Sequence, residues 1–201
     1  MHKNSCLGIG GFGIVKLAGD VKRNNVVAIK SINKSSLSEN DMADATTLFG
    51  EIDILAKAGS LKSNFLMGLY DFFEESNCIN IVSEYCNEGD LYERLQERHL
   101  KKDYFTVKEV LSIMYQINCG LYDLHSIKIA HRDLKPQNVF IRNNRLILGD
   151  FGLSKIIDPR KQWTERACGT PGFMAPEIFT KDYDRSEKVD MFALGCIGHM
   201  L

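Results

Sequence analysis

The sequence predicts an α+β chain with two lobes, the first small and built of antiparallel strands with one helix, the second mainly helical. Short β-branched runs at Val26–Ile29 and Cys78–Val82 indicate strands in the first eighty residues. After Asn87-Glu88-Gly89 the apolar residues recur with the period of a helix. Such a change along the chain favours two lobes that meet at the change. The expected boundaries are residues 1–83 for the first lobe, 84–90 for the link and 91–201 for the second lobe.

Two helices are the clearest single elements. One should follow the strand that ends at Lys30, because apolar residues recur at helical spacing there. Those residues are Ala45, Leu48, Ile52, Leu55 and Ala56. In the second lobe, Thr106 and Glu109 form a capping box at the start of a second helix. Its residues Val107, Val110, Leu111, Met114, Leu121 and Leu124 form one apolar stripe.

The rest of the second lobe alternates short strands with irregular chain. Strands are expected around Val139–Ile141 and Leu146–Leu148. A long irregular stretch from Phe151 to Gly172 follows them. A last helix should begin near Ser186, and its apolar part continues to Leu201.

Composition and charge exclude several classes of protein. The 201 residues carry 25 Lys and Arg against 26 Asp and Glu, a net charge of −1, which disfavours nucleic acid as a partner. The six cysteines form no Cys-x-x-Cys pair, so reduced thiols are expected rather than a disulfide scaffold or a metal site. No signal peptide precedes residue 7 and no apolar run reaches about 18 residues. We therefore expect an intracellular protein, of cytoplasm or nucleus, with no membrane partner.

A glycine loop stands near the start of the chain, as Gly8-Ile9-Gly10-Gly11-Phe12-Gly13. The same spacing occurs in dinucleotide-binding proteins, which need an apolar strand before the loop and a helix after it. Here Ile14–Ala18 reads as a second strand, so the glycines should form a hairpin turn. An ordinary glycine-rich hairpin remains the alternative. Lys30, on a neighbouring strand, and Glu51, on the next helix, favour a phosphate site, because a paired ammonium can hold phosphate oxygens.

Three motifs in the second lobe are the most specific feature of the sequence. They are His131-Arg132-Asp133-Leu134-Lys135-Pro136-Gln137-Asn138, Asp150-Phe151-Gly152 and Ala175-Pro176-Glu177. Together with the glycine loop and Lys30, this ordered series resembles the eukaryotic protein kinases. The resemblance covers essentially all 201 residues and implies the protein-kinase-like two-lobe fold.

The resemblance also implies a role for each motif residue, with ATP and Mg²⁺ as cofactors and a protein as substrate. Asp133 would accept the proton of the substrate hydroxyl, and Lys135 would neutralise the γ-phosphate. Lys30 would hold the α- and β-phosphates while Glu51 fixes its position. Asn138 and Asp150 would supply oxygen ligands to Mg²⁺. The nucleotide itself would lie against Leu7, Gly8, Gly10, Gly11, Phe12, Gly13, Val15, Ala28, Glu84, Cys86, Asp90 and Phe140.

Three residues indicate which amino acid of the protein substrate would accept the phosphate. Lys135, two residues after Asp133, and Thr170, in Gly-Thr-Pro, are typical of kinases that phosphorylate serine or threonine. Leu153 is a residue that the family associates with serine. Within the family, Leu148–Gly152 and Glu84–Leu91 look similar to the NIMA-related kinases. The sequence identifies no regulatory partner.

Regulation departs from the family pattern at one position. Arg132 and Lys155 would receive a phosphate on the activation segment, two residues before Cys168. That position is Arg166, so Thr164 is the nearest hydroxyl and Glu165 a possible built-in anion.

Two other functions stay open at this level. One is a nucleotide-binding scaffold without catalysis. The other is a dinucleotide oxidoreductase, a function that the motif Asp150-Phe151-Gly152 contradicts. In the family, further helices follow the position of Leu201. We therefore expect an incomplete C-terminal lobe with exposed apolar surface over Phe192–Leu201. Asp190 resembles the aspartate that braces the catalytic loop.

Overall fold

The computed structural model describes residues 6–10, 13–34, 42–157, 168–180 and 186–201, with backbone alone at 9–10 and 42–49. The chain divides into two compact units. The first comprises Met1–Lys62 and Met67–Tyr85, and the second comprises Ser63–Leu66 and Cys86–Leu201. The predicted α+β class is confirmed, since the described strands of the first unit form one sheet and the second unit is mainly helical.

The first unit is an antiparallel sheet with one described helix. Its strands follow the order β1-β2-β3-β5-β4 across the sheet. The elements are β1 (Cys6–Gly10), β2 (Gly13–Asp20), β3 (Asn25–Asn33), α1 (Met42–Ser60), β4 (Leu69–Glu74) and β5 (Cys78–Glu84). Gly10 pairs with Gly13, so the glycine loop joins β1 to β2 as the predicted hairpin. Buried Ile52, Ile54 and Leu55 hold the described part of α1 in the core.

The second unit is built around one long helix. Its elements are α2 (Leu91–Leu100), α3 (Val107–Ser126), β6 (Ile129–Ala130), β7 (Val139–Arg142), β8 (Arg145–Leu148), β9 (Lys155–Ile156) and α4 (Lys188–Met200). The predicted capping box of Thr106 and Glu109 begins α3, because each side chain bonds the other residue's backbone N–H. On α4, Phe192 and Met200 are 44% and 45% exposed, so this helix presents apolar surface.

The predicted apolar stripe of α3 is only partly buried. Leu121 and Leu124 lie in the core, whereas Val107 and Leu111 are exposed. At 3.6 residues per turn, Val107 and Leu111 point roughly 100° and 140° away from Leu124, but only about 40° and 80° away from Leu121. The predicted residues therefore share one arc of the helix, but Val107 and Leu111, at the edge of that arc in the first turns, are not covered by the core.

The division of the chain differs from the prediction at Ser63–Leu66, which groups with the second unit. Backbone and side-chain bonds explain the difference. Leu148 N–H donates to the Phe65 carbonyl at 2.8 Å, and Ser63 Oγ donates to Asp123 Oδ2 at 2.6 Å. Among the described residues, no helix is both long enough and apolar enough to cross a bilayer.

Candidate active site

The lysine of the first unit has the carboxylate partner that its position predicted. Lys30 lies on β3 opposite Val15 of β2, and its Nζ is 2.7 and 3.0 Å from the two carboxylate oxygens of Glu51 on α1. Glu51 is only 5% exposed. A buried carboxylate held by both of its oxygens fixes the lysine head group more firmly than a surface pair would. The ammonium is thereby positioned beside the strand that follows the glycine loop.

Gly13 is the glycine of this loop that the backbone requires. Its φ is +148°, and a Cβ built at Gly13 would lie 2.4 Å from the Ser31 carbonyl oxygen. Real Cβ atoms do not approach an oxygen so closely, so this close pairing of β2 with β3 depends on glycine. Gly8 and Gly10 lie in β1, whereas the predicted nucleotide contacts Gly11 and Phe12 fall outside the described residues.

In the second unit, Asp133, Lys135 and Thr170 form one hydrogen-bonded cluster. Thr170 Oγ1 donates to Asp133 Oδ1 at 2.7 Å and accepts from Lys135 Nζ at 2.8 Å. Lys135 Nζ is also 2.8 Å from Asp133 Oδ2. Residues far apart in sequence thus converge on one carboxylate, and the ammonium compensates its negative charge.

Asn138 approaches the same carboxylate through its amide nitrogen. Nδ2 donates to the Asp133 carbonyl at 2.8 Å and to Oδ2 at 3.2 Å. No described residue donates to Asn138 Oδ1, so that oxygen keeps its capacity to bind a cation.

Asp150 is brought to the same end of a strand pair as Asn138. Asn138 directly precedes β7 and Asp150 follows β8 by two residues, and these strands are antiparallel, with Val139 opposite Leu148. An amide oxygen and a carboxylate at one strand end are a donor set that suits Mg²⁺ completed by water and phosphate oxygens. Among the described residues, no group of three or more His, Cys, Asp or Glu side chains is arranged so that it could hold a metal ion by itself.

His131 links the loop of residues 131–138 to the strand end that carries Asp150. The ring is fully buried, its Nε2 lies 3.1 Å from the Gly149 carbonyl, and the Asp133 N–H lies 3.4 Å from Nδ1. A carbonyl only accepts and an N–H only donates, so Nε2 carries the proton and Nδ1 is the acceptor. The ring packs against Phe151 with centroids 5.5 Å apart. Asp150 itself adopts φ +58°, a conformation uncommon outside glycine and often seen at functional sites.

Asp190 of α4 holds the backbone at the start of the loop of residues 131–138. Its Oδ2 accepts from the His131 N–H at 2.8 Å, and its Oδ1 accepts from the Arg132 N–H at 2.9 Å. Arg132 has φ +67°, so these bonds fix a strained turn directly before Asp133. His125 Nε2 lies 2.8 Å from Asp190 Oδ2. Sequence reasoning missed His125, since nothing near it in the chain points to a residue 65 positions away.

Comparison with known families agrees with this geometry. The family model described as "Protein kinase domain" matches residues 1–201. The chain belongs to the protein kinase domain family. The predicted protein-kinase-like fold is therefore confirmed, and kinases of this family use ATP and Mg²⁺ as a class.

Curated relatives are serine/threonine kinases. Serine/threonine-protein kinase Nek5 of Mus musculus is 32% identical over 198 residues, which cover 98% of this chain and 30% of the relative. The probable serine/threonine-protein kinase nek3 of Dictyostelium discoideum is 31% identical over 195 residues, or 95% of this chain and 17% of the relative. Serine/threonine-protein kinase cds1 of Schizosaccharomyces pombe is 34% identical over 203 residues, or 97% and 43%.

The kinase domain spans less than half the length of each of these relatives. All three relatives are named as serine/threonine-protein kinases, the class that the sequence predicted. The Nek names are consistent with the NIMA-related resemblance.

The remaining predicted nucleotide contacts are distributed over both units. Leu7, Val15, Ala28 and Glu84 stand on strands β1, β2, β3 and β5 of the first unit, and Phe140 stands on β7 of the second. Cys86 is the first residue of the long segment of the second unit.

Asp90 has a structural role that the sequence did not predict. Its Oδ1 accepts from the Glu93 N–H at 2.9 Å and caps α2. Burial raises the pKa of the Asp90 carboxyl above its ordinary value.

Only part of the activation segment is described. Thr164, Glu165 and Arg166 lie outside the described residues, so the predicted regulatory positions carry no structural account. In the described part, Arg132 Nη2 donates to Cys168 Sγ. This contact ties the arginine before Asp133 to the segment that carries Thr170.

Proposed function

We propose that the chain catalyses transfer of the γ-phosphate of ATP to serine or threonine hydroxyls of protein substrates. The observation that supports the proposal most directly is the cluster around Asp133. Thr170 and Lys135 each bond to its carboxylate at 2.7–2.8 Å, and Asn138 approaches it from a third direction. Each carboxylate oxygen has two acceptor sites, so the group can still take a hydrogen bond from a substrate hydroxyl.

In this proposal Asp133 orients the acceptor hydroxyl and takes its proton as the oxygen bonds to the γ-phosphorus. The bond from phosphorus to the bridging oxygen breaks, and ADP leaves with that oxygen. Lys135, 2.8 Å from Asp133, is placed to compensate charge on the transferring group. Thr170 keeps Asp133 and Lys135 in register, since its single hydroxyl donates to one and accepts from the other.

Nucleotide binding would use two sets of residues. Lys30, held by Glu51, would bind the α- and β-phosphates. Asn138 and Asp150 would hold Mg²⁺. The metal when bound would neutralise phosphate charge, which is the main chemical requirement of phosphoryl transfer. The contacts Gly8, Gly10, Gly11, Phe12, Gly13, Leu7, Val15, Ala28, Glu84, Cys86, Asp90 and Phe140 remain predictions from the resemblance.

The experiment compares transfer of labelled γ-phosphate to a generic protein substrate by the wild-type chain, Asp133→Asn and Asp53→Asn. Asp53 is an exposed aspartate of α1 that pairs with Lys57, so it serves as a matched control for the same chemical change. We expect Asp133→Asn to lose at least about 10²-fold in kcat, because a positioned base contributes on the order of 10²–10⁴. Asp53→Asn should retain wild-type activity.

A second measurement separates catalysis from binding alone. If a fluorescent ATP analogue binds the wild-type chain but no label is transferred, the chain is a nucleotide-binding scaffold and the proposal fails. Equal transfer by the wild-type chain and Asp133→Asn would assign the activity to a contaminating kinase.

A further inference from the structure

Helix α3 carries an apolar surface on the side that faces away from the core. Val107, Leu111, Tyr115 and Tyr122 are 77%, 64%, 66% and 73% exposed, and we refer to these four residues as the α3 stripe. Single exposed apolar residues are normal on proteins, but a contiguous row of large ones marks an interaction site.

The α3 stripe is interrupted by one polar residue, Asn118, and is almost free of charge. Its members follow one another at intervals of four, four and seven residues, which keeps them within an arc of about 80° over a length of about 22 Å. Asn118 falls inside the same arc and is uncharged. Among the exposed positions of α3, the charged residue on this face is Lys108, which lies at one edge of the stripe. Apolar and tyrosine-rich composition with charge at the edge is typical of the centre of a protein interface.

The exposed area of the α3 stripe suits contact with a second helix of similar length. Large exposed side chains offer on the order of 150 Å² each. The two tyrosines with the smaller Val107 and Leu111 would therefore bury at most roughly 500 Å² on each side. A stable interface of standard size buries about 800 Å² per partner, and smaller interfaces are typical of weak, transient association. The α3 stripe therefore suits a weak dimer that forms at micromolar concentrations.

We propose that the α3 stripe is the contact of a homodimer, in which α3 packs antiparallel against α3 of a second copy. A two-fold axis would pass near Tyr115, which lies close to the middle of the stripe, so the two Tyr115 rings would meet there. The same symmetry places Lys108 of each copy beside Tyr122 of the other. An ammonium over a tyrosine ring is attracted to it, and antiparallel helices also oppose their dipoles favourably.

A second copy is the occupant that these features favour. Two-fold contacts are self-complementary, and the stripe offers a tyrosine at its centre with a cation near one end and a ring near the other. This inference does not depend on kinase activity, because it uses no residue of the proposed active site.

Sedimentation velocity of the complete chain, from low to high micromolar concentration, tests the proposal. The wild-type chain should pass from monomer to twice the monomer mass. Tyr115→Lys and Tyr115→Glu should each stay monomeric, because like charges would meet at the two-fold axis. An equimolar mixture of the two variants should dimerise again, because the charges are then opposite.

Val21→Lys is the matched control, since Val21 is 94% exposed in the turn between β2 and β3 of the first unit. It should associate like the wild-type chain, and all variants should melt at the wild-type temperature when the protein is dilute enough for the wild-type chain to be monomeric. A wild-type chain that stays monomeric, variants that dimerise alone, or a mixture that stays monomeric would each overturn the proposal. Capture of a different protein or of lipid vesicles by a monomeric chain would also count against it.

Discussion

The hydroxyl of Thr170 donates a 2.7 Å hydrogen bond to Oδ1 of Asp133, although 37 positions separate the two residues. The same hydroxyl accepts from Lys135 Nζ at 2.8 Å. One oxygen atom therefore couples the proposed base to the proposed phosphate-binding cation. This arrangement makes Thr170 a positioning residue whose contribution can be measured separately from protein stability.

Thr170→Val removes this hydroxyl while keeping the size and branching of the side chain. We expect kcat to fall by about 10²-fold, because Asp133 and Lys135 lose their common partner. KM for ATP should stay near the wild-type value, since neither the Lys30 pair nor the glycine loop is touched. Thr170→Ser restores the hydroxyl and should recover most of the activity. Steady-state kinetics on a peptide substrate measures both variants, and a fully active valine variant would refute this role.

The ion pair of Lys30 and Glu51 should contribute to stability as well as to nucleotide binding. Lys30→Met leaves the 5% exposed Glu51 without its lysine partner, so we expect a loss of about 3 kcal/mol in the free energy of unfolding. Adding Glu51→Leu should restore part of that loss, because no carboxylate then remains buried. Chemical denaturation measures both effects. A double variant less stable than Lys30→Met alone would contradict the explanation.

Gly13 and Gly19 offer a matched pair of substitutions in one strand. Alanine at Gly13 would place a Cβ 2.4 Å from the Ser31 oxygen at a φ of +148°, so we expect a loss of about 2–4 kcal/mol. A Cβ at Gly19 would meet nothing within 4 Å. Gly19→Ala should therefore stay within about 0.5 kcal/mol of the wild-type chain. Comparable unfolding midpoints for the two variants would contradict this prediction, because they would show that β2 can shift to accommodate a Cβ at Gly13.

Glu109 should give the stability a defined dependence on acid pH. The Arg98 guanidinium 2.7 Å away, with bonds from Thr106, lowers the pKa of Glu109 from 4.5 to about 2. A lowered folded-state pKa means that the stabilisation is complete above pH 4.5 and is lost as the pH falls toward 2. Arg98 also lies 4.2 Å over the Phe105 ring, so it joins the end of α2 to the start of α3.

Thermal unfolding of the wild-type chain and Glu109→Gln over a pH series tests this dependence. The difference in melting temperature between them should be constant from pH 7 to 5. It should then shrink between about pH 4.5 and 2, as Glu109 takes up its proton. A difference that is unchanged at pH 2.5, or that disappears above pH 5, would contradict the shifted pKa.

The sequence predicted most reliably those features that depend on residue type at fixed spacing. The Lys30–Glu51 pair followed from a lysine on a strand and a carboxylate on the inner side of the next helix. The capping box of α3 followed in the same way, because its two members are three residues apart and act on local backbone.

Features set by long-range contact could not be predicted in this way. The exposure of Val107 and Leu111 depends on how far around the apolar arc of α3 the core extends. The grouping of Ser63–Leu66 with the second unit depends on a backbone bond from Leu148 to Phe65, which leaves no mark on side-chain identity. The contact of His125 with Asp190 joins two positions with no shared local pattern.

The position of Asp190 in the sequence determines when, during synthesis, the loop that carries Asp133 can be fixed. The backbone N–H groups of His131 and Arg132 emerge from the ribosome 59 and 58 residues before the carboxylate that binds them. At about 5–20 residues per second, that interval lasts roughly 3 to 12 seconds. Throughout it the strained turn at Arg132 lacks its brace, so the nascent chain can form its first sheet and α3 before it can hold Asp133 in place. The loop that carries Asp133 would therefore reach its final conformation only after α4 has been synthesised.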